Sequence, residues 1–269
     1  MIDPVRHPAV AGRFYPADPK ALRADVENYL DPSGPKSSAL GCVVPHAGYV
    51  YSGHVAGAVF SKIEIPSRVI LMCPNHTGRG APLAINIHGS WDTPLGKVGV
   101  DSELASHLQQ RFPLLTGDTE AHRSEHSAEV ELPFLQVLRP HVKFVPIAIG
   151  TSDFEILEGL GHAIADVITD AGDVLIIASS DMNHYENDAI TRIKDHKAIE
   201  KIAALDIPGL QHVVRHENIS MCGYGPTVAM LTAAKQLGAR SAELVKYATS
   251  GDISGDRNMV VGYAGIRVD

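Results

Sequence analysis

The sequence lacks the marks of several common protein classes. Its 269 residues hold three cysteines, Cys42, Cys73 and Cys222, and no C-x-x-C pair, so no disulfide framework is encoded. Long hydrophobic runs are missing too. The segment Val69-Ile70-Leu71-Met72-Cys73 is strand-sized, far short of the ~20 residues a membrane helix needs. Met1 to Val10 carries Asp3, Pro4, Arg6 and Pro8 where a signal peptide has its apolar core, which makes the cytoplasm the expected location. Basic charge is scarce, with 23 Lys and Arg against 31 Asp and Glu and a net charge of −8. Such a surface does not gather phosphates by counterion release, which excludes nucleic acid as an expected partner. No G-x-G-x-x-G, P-loop, G-x-S-x-G or H-E-x-x-H occurs, which argues against nucleotide-dependent and α/β-hydrolase chemistry.

What the sequence has in quantity is histidine. Its fourteen His outnumber the six Phe and the eight Tyr.

Apolar segments alternate with helix-period segments along the chain. Gly41 to Pro45, Arg68 to Cys73, Lys143 to Ile149 and Val174 to Ala178 have the continuous apolar character of buried strands. Helices are expected over Ser52 to Ile63 with Ser52 as N-cap, Asp101 to Phe112, Phe154 to Ala171, 188–206 and Pro226 to Leu237. Another is expected over Ser127 to Leu138, with Ser127 as N-cap and Glu129 and Glu131 in its first turns. A β excursion around Trp91 takes in Ala84 to His88 and Lys97 to Val100, and Glu243 to Tyr247 and Met259 to Ile266 finish the sheet. The polar, glycine-rich stretch Thr249 to Asn258 reads as a mobile surface loop, and Asp252 and Asp256 lack EF-hand spacing. With no repeat and no linker, the pattern predicts a single α/β domain: a mixed, mostly parallel sheet with helices on both faces.

Three of the apolar strands end alike. Val44-Pro45 runs into His46, Cys73-Pro74 into Asn75-His76, and Ala178-Ser179 into Ser180-Asp181 and His184. Ligands of open parallel sheets bind beyond the carboxyl ends of the strands. If these strands are parallel neighbours, His46, His76, Asp181 and His184 share one crevice. A lone His after a strand is more often a hydrogen-bonded turn residue than a ligand; three such strand ends raise the ligand interpretation above the bland one. Cys222 precedes a helix, and a helix N-terminus stabilises the thiolate that serves as nucleophile or metal ligand. The alternative is a small buried thiol, as expected for Cys42 and Cys73 inside their strands. In Glu125-His126-Ser127, His126 is left as a candidate catalytic residue.

These same residues carry a resemblance. His-Pro-Ala-Val-Ala-Gly-Arg-Phe-Tyr-Pro (7–16), Pro-His-Ala-Gly-Tyr (45–49), Pro-Asn-His (74–76), Glu-His-Ser (125–127), Ser-Ser-Asp (179–181) with His184, and Met-Cys-Gly (221–223) together resemble the Memo family. That family includes the B component of the AmmeMemoRadiSam gene system. The resemblance spans about residues 5 to 266 and implies a fold similar to class III extradiol ring-cleaving dioxygenases. It implies a pocket of two histidines and a cysteine holding iron or copper, here His46, His76 and Cys222, with Asp181 and His184 beside it. His184 inherits an acid/base role. Ring-cleaving enzymes use two histidines and a glutamate; a cysteine in third place is softer and favours Cu(I), Zn or iron in a different electronic state. The resemblance also implies partnership with a radical-SAM protein and an Ammecr-type protein.

Three functions follow as expectations. One is a metal-dependent, dioxygenase-like oxidoreductase acting on a small molecule, with Cys222 or Asp181 as third ligand and with Asp181, His184 and His126 as catalytic candidates. Another is a module that binds a peptide or small anion in the same crevice. The last is a metal-free hydrolase with Cys222 as nucleophile and His46 or His184 as base.

Overall fold

The continuous apolar segments become neighbouring strands because both of their faces need cover. Along them, side chains alternate between two cores. Val43, Ile70, Met72, Val145, Ile147 and Ile176 enter one, while Cys42, Val44, Val69, Leu71, Phe144 and Ile177 enter the other. Each such aliphatic side chain contributes about 1.5–3 kcal/mol when fully buried.

The computed structural model describes residues 4–269, so Met1 to Asp3 of the N-terminal stretch lie outside it. The first half contains β1 (Val5–Arg6), α1 (Pro19–Tyr29), β2 (Gly41–Val44), α2 (Tyr49–Phe60), β3 (Arg68–Pro74), β4 (Leu83–Ile85), β5 (Ser90–Thr93), β6 (Gly96–Val100), α3 (Ser102–Arg111), β7 (Thr116–Gly117) and α4 (Leu132–Leu138). The second contains β8 (Lys143–Ile149), α5 (Phe154–Ala171), β9 (Leu175–Ser179), β10 (His184–Glu186), α6 (Asp188–Ala203), α7 (Ile207–His216), α8 (Tyr224–Gln236), β11 (Ala242–Thr249), α9 (Ser250–Ser254) and β12 (Val260–Val268).

All strands join one mixed sheet whose main path is β1-β5-β6-β8-β3-β9-β2-β12-β10. Its centre, β6-β8-β3-β9-β2, is parallel throughout. Antiparallel β12 then pairs with β2, β11 and β10. Helices α3, α5, α6, α7 and α8 cover one face, and α1, α2 and α4 the other. This is the α/β arrangement the alternation predicts. No helix among the described residues is long and apolar enough to cross a membrane.

Several local expectations are corrected. Helix α2 starts at Tyr49, not at Ser52, because the Phe14 carbonyl accepts the Tyr49 N–H, and Ser52 instead donates its hydroxyl to the Ala47 carbonyl. The Ser127 to Leu138 helix is a 3-10 turn, Glu129–Glu131, followed by α4. The helix expected to run to residue 206 stops at Ala203, where Leu205 adopts a left-handed φ of 52° before α7 begins. The stretch from Thr249 is not wholly loop: a capping box between Thr249 and Asp252 starts α9.

Candidate metal centre in the strand-end crevice

Parallel order puts β3, β9 and β2 side by side, so the turns that follow them meet at one edge. They line a crevice of about 560 Å³ that contains His46, His76, His126, Asp181, His184 and Cys222. The structure thus brings every site residue expected from sequence into one cavity. Phe14, Tyr185, Val261 and Tyr263 supply its apolar wall.

Three imidazoles form the tightest group. His46, His76 and His126 each offer a ligand atom within 4.8 Å of the others. The His76 and His126 rings stack at 4.8 Å and 20°, and His46 meets both edge-on at 5.3 Å and 5.5 Å. Sequence placed His126 among catalytic candidates; the fold places it beside the two strand-end histidines. Cys222 Sγ lies 3.2 Å from His46 Nε2, adjacent to one member of the group.

The glutamates behind these rings were missed from sequence. Glu125, fully buried, accepts at Oε1 from His76 Nδ1 at 2.9 Å and from the Ser127 hydroxyl at 2.7 Å, and at Oε2 from the His76 N–H at 2.6 Å. The His126 and Ser127 backbone N–H groups also point at Oε1. Burial alone would raise its pKa, but these donors, His76 first among them, hold it down to about 2. Glu125 is therefore an anion that fixes the His76 ring by accepting from its Nδ1 and from its backbone N–H.

Glu129 does not act as helix-dipole chemistry as expected. It is buried, accepting from Arg6 at 2.8 Å, from the Tyr15 hydroxyl at 2.5 Å and from the Ala9 and Val10 N–H groups. Arg6 also donates to the His122 and Glu125 carbonyls, which ties the N-terminal segment to the loop bearing His126. That clamp sets Phe14 against the His126 ring, with centroids 4.7 Å apart. Glu131 is likewise buried, beside Ser179, instead of serving the first turn of a helix.

Electrostatics keep most of the site neutral. Burial pushes the pKa of His46 well down, aided by the neighbouring histidines, and also lowers those of His126 and His184. Burial and the adjacent Asp181 push the Cys222 thiol well up, so the thiolate expected at the helix N-terminus is not the resting form. Asp181 accepts the His46 N–H at 2.9 Å, yet burial raises its pKa to about 7. His184 Nδ1 lies 2.9 Å from the Ser220 carbonyl. A carbonyl only accepts, so Nδ1 carries the proton and Nε2 keeps a lone pair. Cys222 is placed by Gly223, where any side chain would overlap Ser180 and the Ser179 carbonyl.

The Memo-like protein model matches residues 6–267. The chain belongs to the Memo-like family. A MEMO1 family protein of Methanopyrus kandleri is 45% identical, covering 97% of this chain and 98% of its own. One from Methanosarcina barkeri is 44% identical, covering 98% of this chain and all of its own, and one from Methanothermobacter thermautotrophicus is 41% identical over 97% and 99%. A solved structure of an uncharacterized protein from Escherichia coli K12 superposes with a TM-score of 0.55 at 11% identity, over 84% of this chain and 98% of that one. That likeness is one of fold. The Memo-like motifs at 45–49, 74–76, 125–127, 179–181 and 221–223 are the turns that line the crevice.

Proposed function

We propose that the crevice is a metal centre at which iron or copper, held by His46, His76 and His126, acts in an oxidoreductase reaction on a small molecule. The observation that carries this is the convergence of three imidazoles whose ligand atoms lie within 4.8 Å of one another. The donor set fits such an ion: imidazole suits iron and copper, and the Nδ1 atoms of His46 and His76 already have partners, which leaves Nε2 for the ion. Cys222, beside His46 Nε2, is the donor available for a further position. Bound iron or copper supplies Lewis-acid and one-electron chemistry to the substrate.

The chain's own groups then divide the work. His184 Nε2 is a base at the crevice wall, accepting a proton from a substrate hydroxyl and returning it. Asp181, with a pKa of about 7, exchanges a proton near neutrality and holds the His46 backbone through its N–H. Phe14, Val261 and Tyr263 exclude water from one side of the substrate.

The 3.2 Å approach of Cys222 to His46 is the one feature that favours a metal-free hydrolase. Against it, burial stabilises the neutral thiol and the neutral imidazole, the opposite of an activated pair.

Metal content after anaerobic purification tests the proposal. Wild type is expected to carry one iron or copper per chain. Loss of an outer-shell partner costs about 10–100-fold in metal affinity, so His46→Ala, His76→Ala and His126→Ala each lose at least that much. Wild-type protein that binds neither ion, or variants that bind as wild type does, would overturn it. Peptide or small-anion binding that survives chelation would point to the binding module instead.

A further inference from the structure

Behind His46 one hydroxyl serves three partners. Ser179 Oγ, fully buried at the end of β9, lies 2.8 Å from His46 Nδ1, 2.8 Å from the Ser127 carbonyl oxygen and 3.0 Å from Glu131 Oε1. A serine hydroxyl has one proton to give and two lone pairs to offer. The Ser127 carbonyl can only accept, so it takes the Ser179 proton. The other two partners must then donate: His46 from Nδ1–H, and Glu131 from the O–H of a neutral carboxylic acid. Any other assignment leaves two lone pairs facing each other where no water reaches, since Ser179 is 0% and Glu131 1% exposed.

The three glutamates of this short segment differ as their partners dictate. Glu129 is matched by Arg6, and Glu125 is surrounded by N–H and O–H donors. Among the described residues Glu131 has no lysine or arginine partner and one hydroxyl contact. Burial, with Asp181 of like sign nearby, pushes its acidity in the same direction as the proton count.

We infer that Glu131 is a positioning residue: a neutral acid that donates to Ser179, which in turn locks His46 as the Nδ1–H tautomer with its Nε2 lone pair presented beside Cys222. With Glu131 ionised, its carboxylate would compete with the Ser127 carbonyl for the single Ser179 hydrogen and leave one of these buried oxygens facing a Ser179 lone pair. Loss of the Ser179 hydroxyl itself removes the acceptor of His46 Nδ1–H and frees the ring to take the Nε2–H form, which cannot ligate an ion through Nε2. The tautomer assignment stands without any ion; its consequence for metal affinity rests on the function proposed above.

The test compares Glu131→Gln, Glu131→Ala and Ser179→Ala with wild type by 15N NMR of the His46 ring in metal-free protein. A glutamine amide donates to Ser179 as the neutral acid does, so Glu131→Gln is expected to keep the Nδ1–H tautomer. Ser179→Ala is expected to shift His46 to a tautomer mixture, whereas Glu131→Ala, which keeps the Ser127 carbonyl as acceptor of the Ser179 hydrogen, is expected to keep Nδ1–H. The infrared difference between wild type and Glu131→Gln is expected to contain the C=O stretch of a neutral carboxyl, a readout that needs no destabilised variant. Co(II) titration is expected to show Glu131→Gln close to wild type and Ser179→Ala weakened by about 10–100-fold. An Nε2–H tautomer in wild type, a carboxylate band in the infrared difference, or Ser179→Ala keeping the wild-type tautomer would overturn the inference. Failure of wild type itself to bind Co(II) would count against the metal centre alone, and the tautomer and infrared readouts would still decide the role of Glu131.

Discussion

Glu125, Glu129 and Glu131 carry the same side chain into one buried segment and leave it with three different roles. Local sequence rules see only an acidic residue near a helix start, where a dipole interaction is the default. The partners that decide otherwise are distant: Arg6 for Glu129, His76 for Glu125, Ser179 for Glu131. His46, His76 and His184 were legible because each follows an apolar strand; the glutamates behind the site were not, because their signal is a long-range contact. Asp195 is a similar case on α6. It accepts from the Asn183 N–H at 2.8 Å and the Tyr247 hydroxyl at 2.7 Å, and burial raises its pKa from 3.8 to about 7. The folded state thus binds this proton more tightly than the unfolded state. Its contribution to stability is complete below pH 3.8, falls as pH rises and is gone above about 7. Asp181 titrates over the same range, so the difference between wild type and Asp195→Asn isolates the effect. Urea unfolding across that window should show a shallower fall for Asp195→Asn, by up to about 4 kcal/mol, given about 1.4 kcal/mol per pKa unit. Parallel curves would contradict this.

At the scale of elements, strands were easier to foresee than helices. The central strands are apolar on both faces, a signal that survives without context. Helix α1 buries only Leu22 and Val26, too narrow a stripe to stand out despite Asp18 as N-cap and Pro19 at the start. Helix α7 has a fuller stripe in Ile207, Leu210, Val213 and Val214, but its Pro208-Gly209 start resembles a break. The start of α8 shows how an element sets the site. Gly223 packs against the Ser180 side chain and the Ser179 carbonyl with no room for a methyl group. Gly223→Ala must move either α8 or the end of β9, and Cys222 with it. Overpacking of this kind costs about 1–3 kcal/mol. The urea midpoint of Gly223→Ala should fall accordingly, whereas an unchanged midpoint would show that the turn yields freely.

For the whole molecule, the strand-end pattern anticipated that three turns meet, and the order β3-β9-β2 realises it. What no strand pattern could show is that the N-terminal segment closes the same site. Its Arg6 guanidinium, 7% exposed, reaches the fully buried Glu129 and two carbonyls of the His126 loop. Removing one partner of a buried ion pair costs about 3–5 kcal/mol because the other charge stays behind. Arg6→Met is therefore expected to destabilise the protein by that amount in denaturant titration and to loosen the Phe14 wall. A loss below about 1 kcal/mol, the level of an exposed pair, would show that the clamp is ornamental to the fold.

Whether His46, His76 and His126 share one ion, as proposed, is read out by anomalous diffraction from crystals soaked anaerobically with Fe(II) or Cu(I). A single peak is expected in the crevice, about 2.1 Å from an imidazole nitrogen of each of the three rings. No peak with either ion, or a peak ligated without His126, would contradict it.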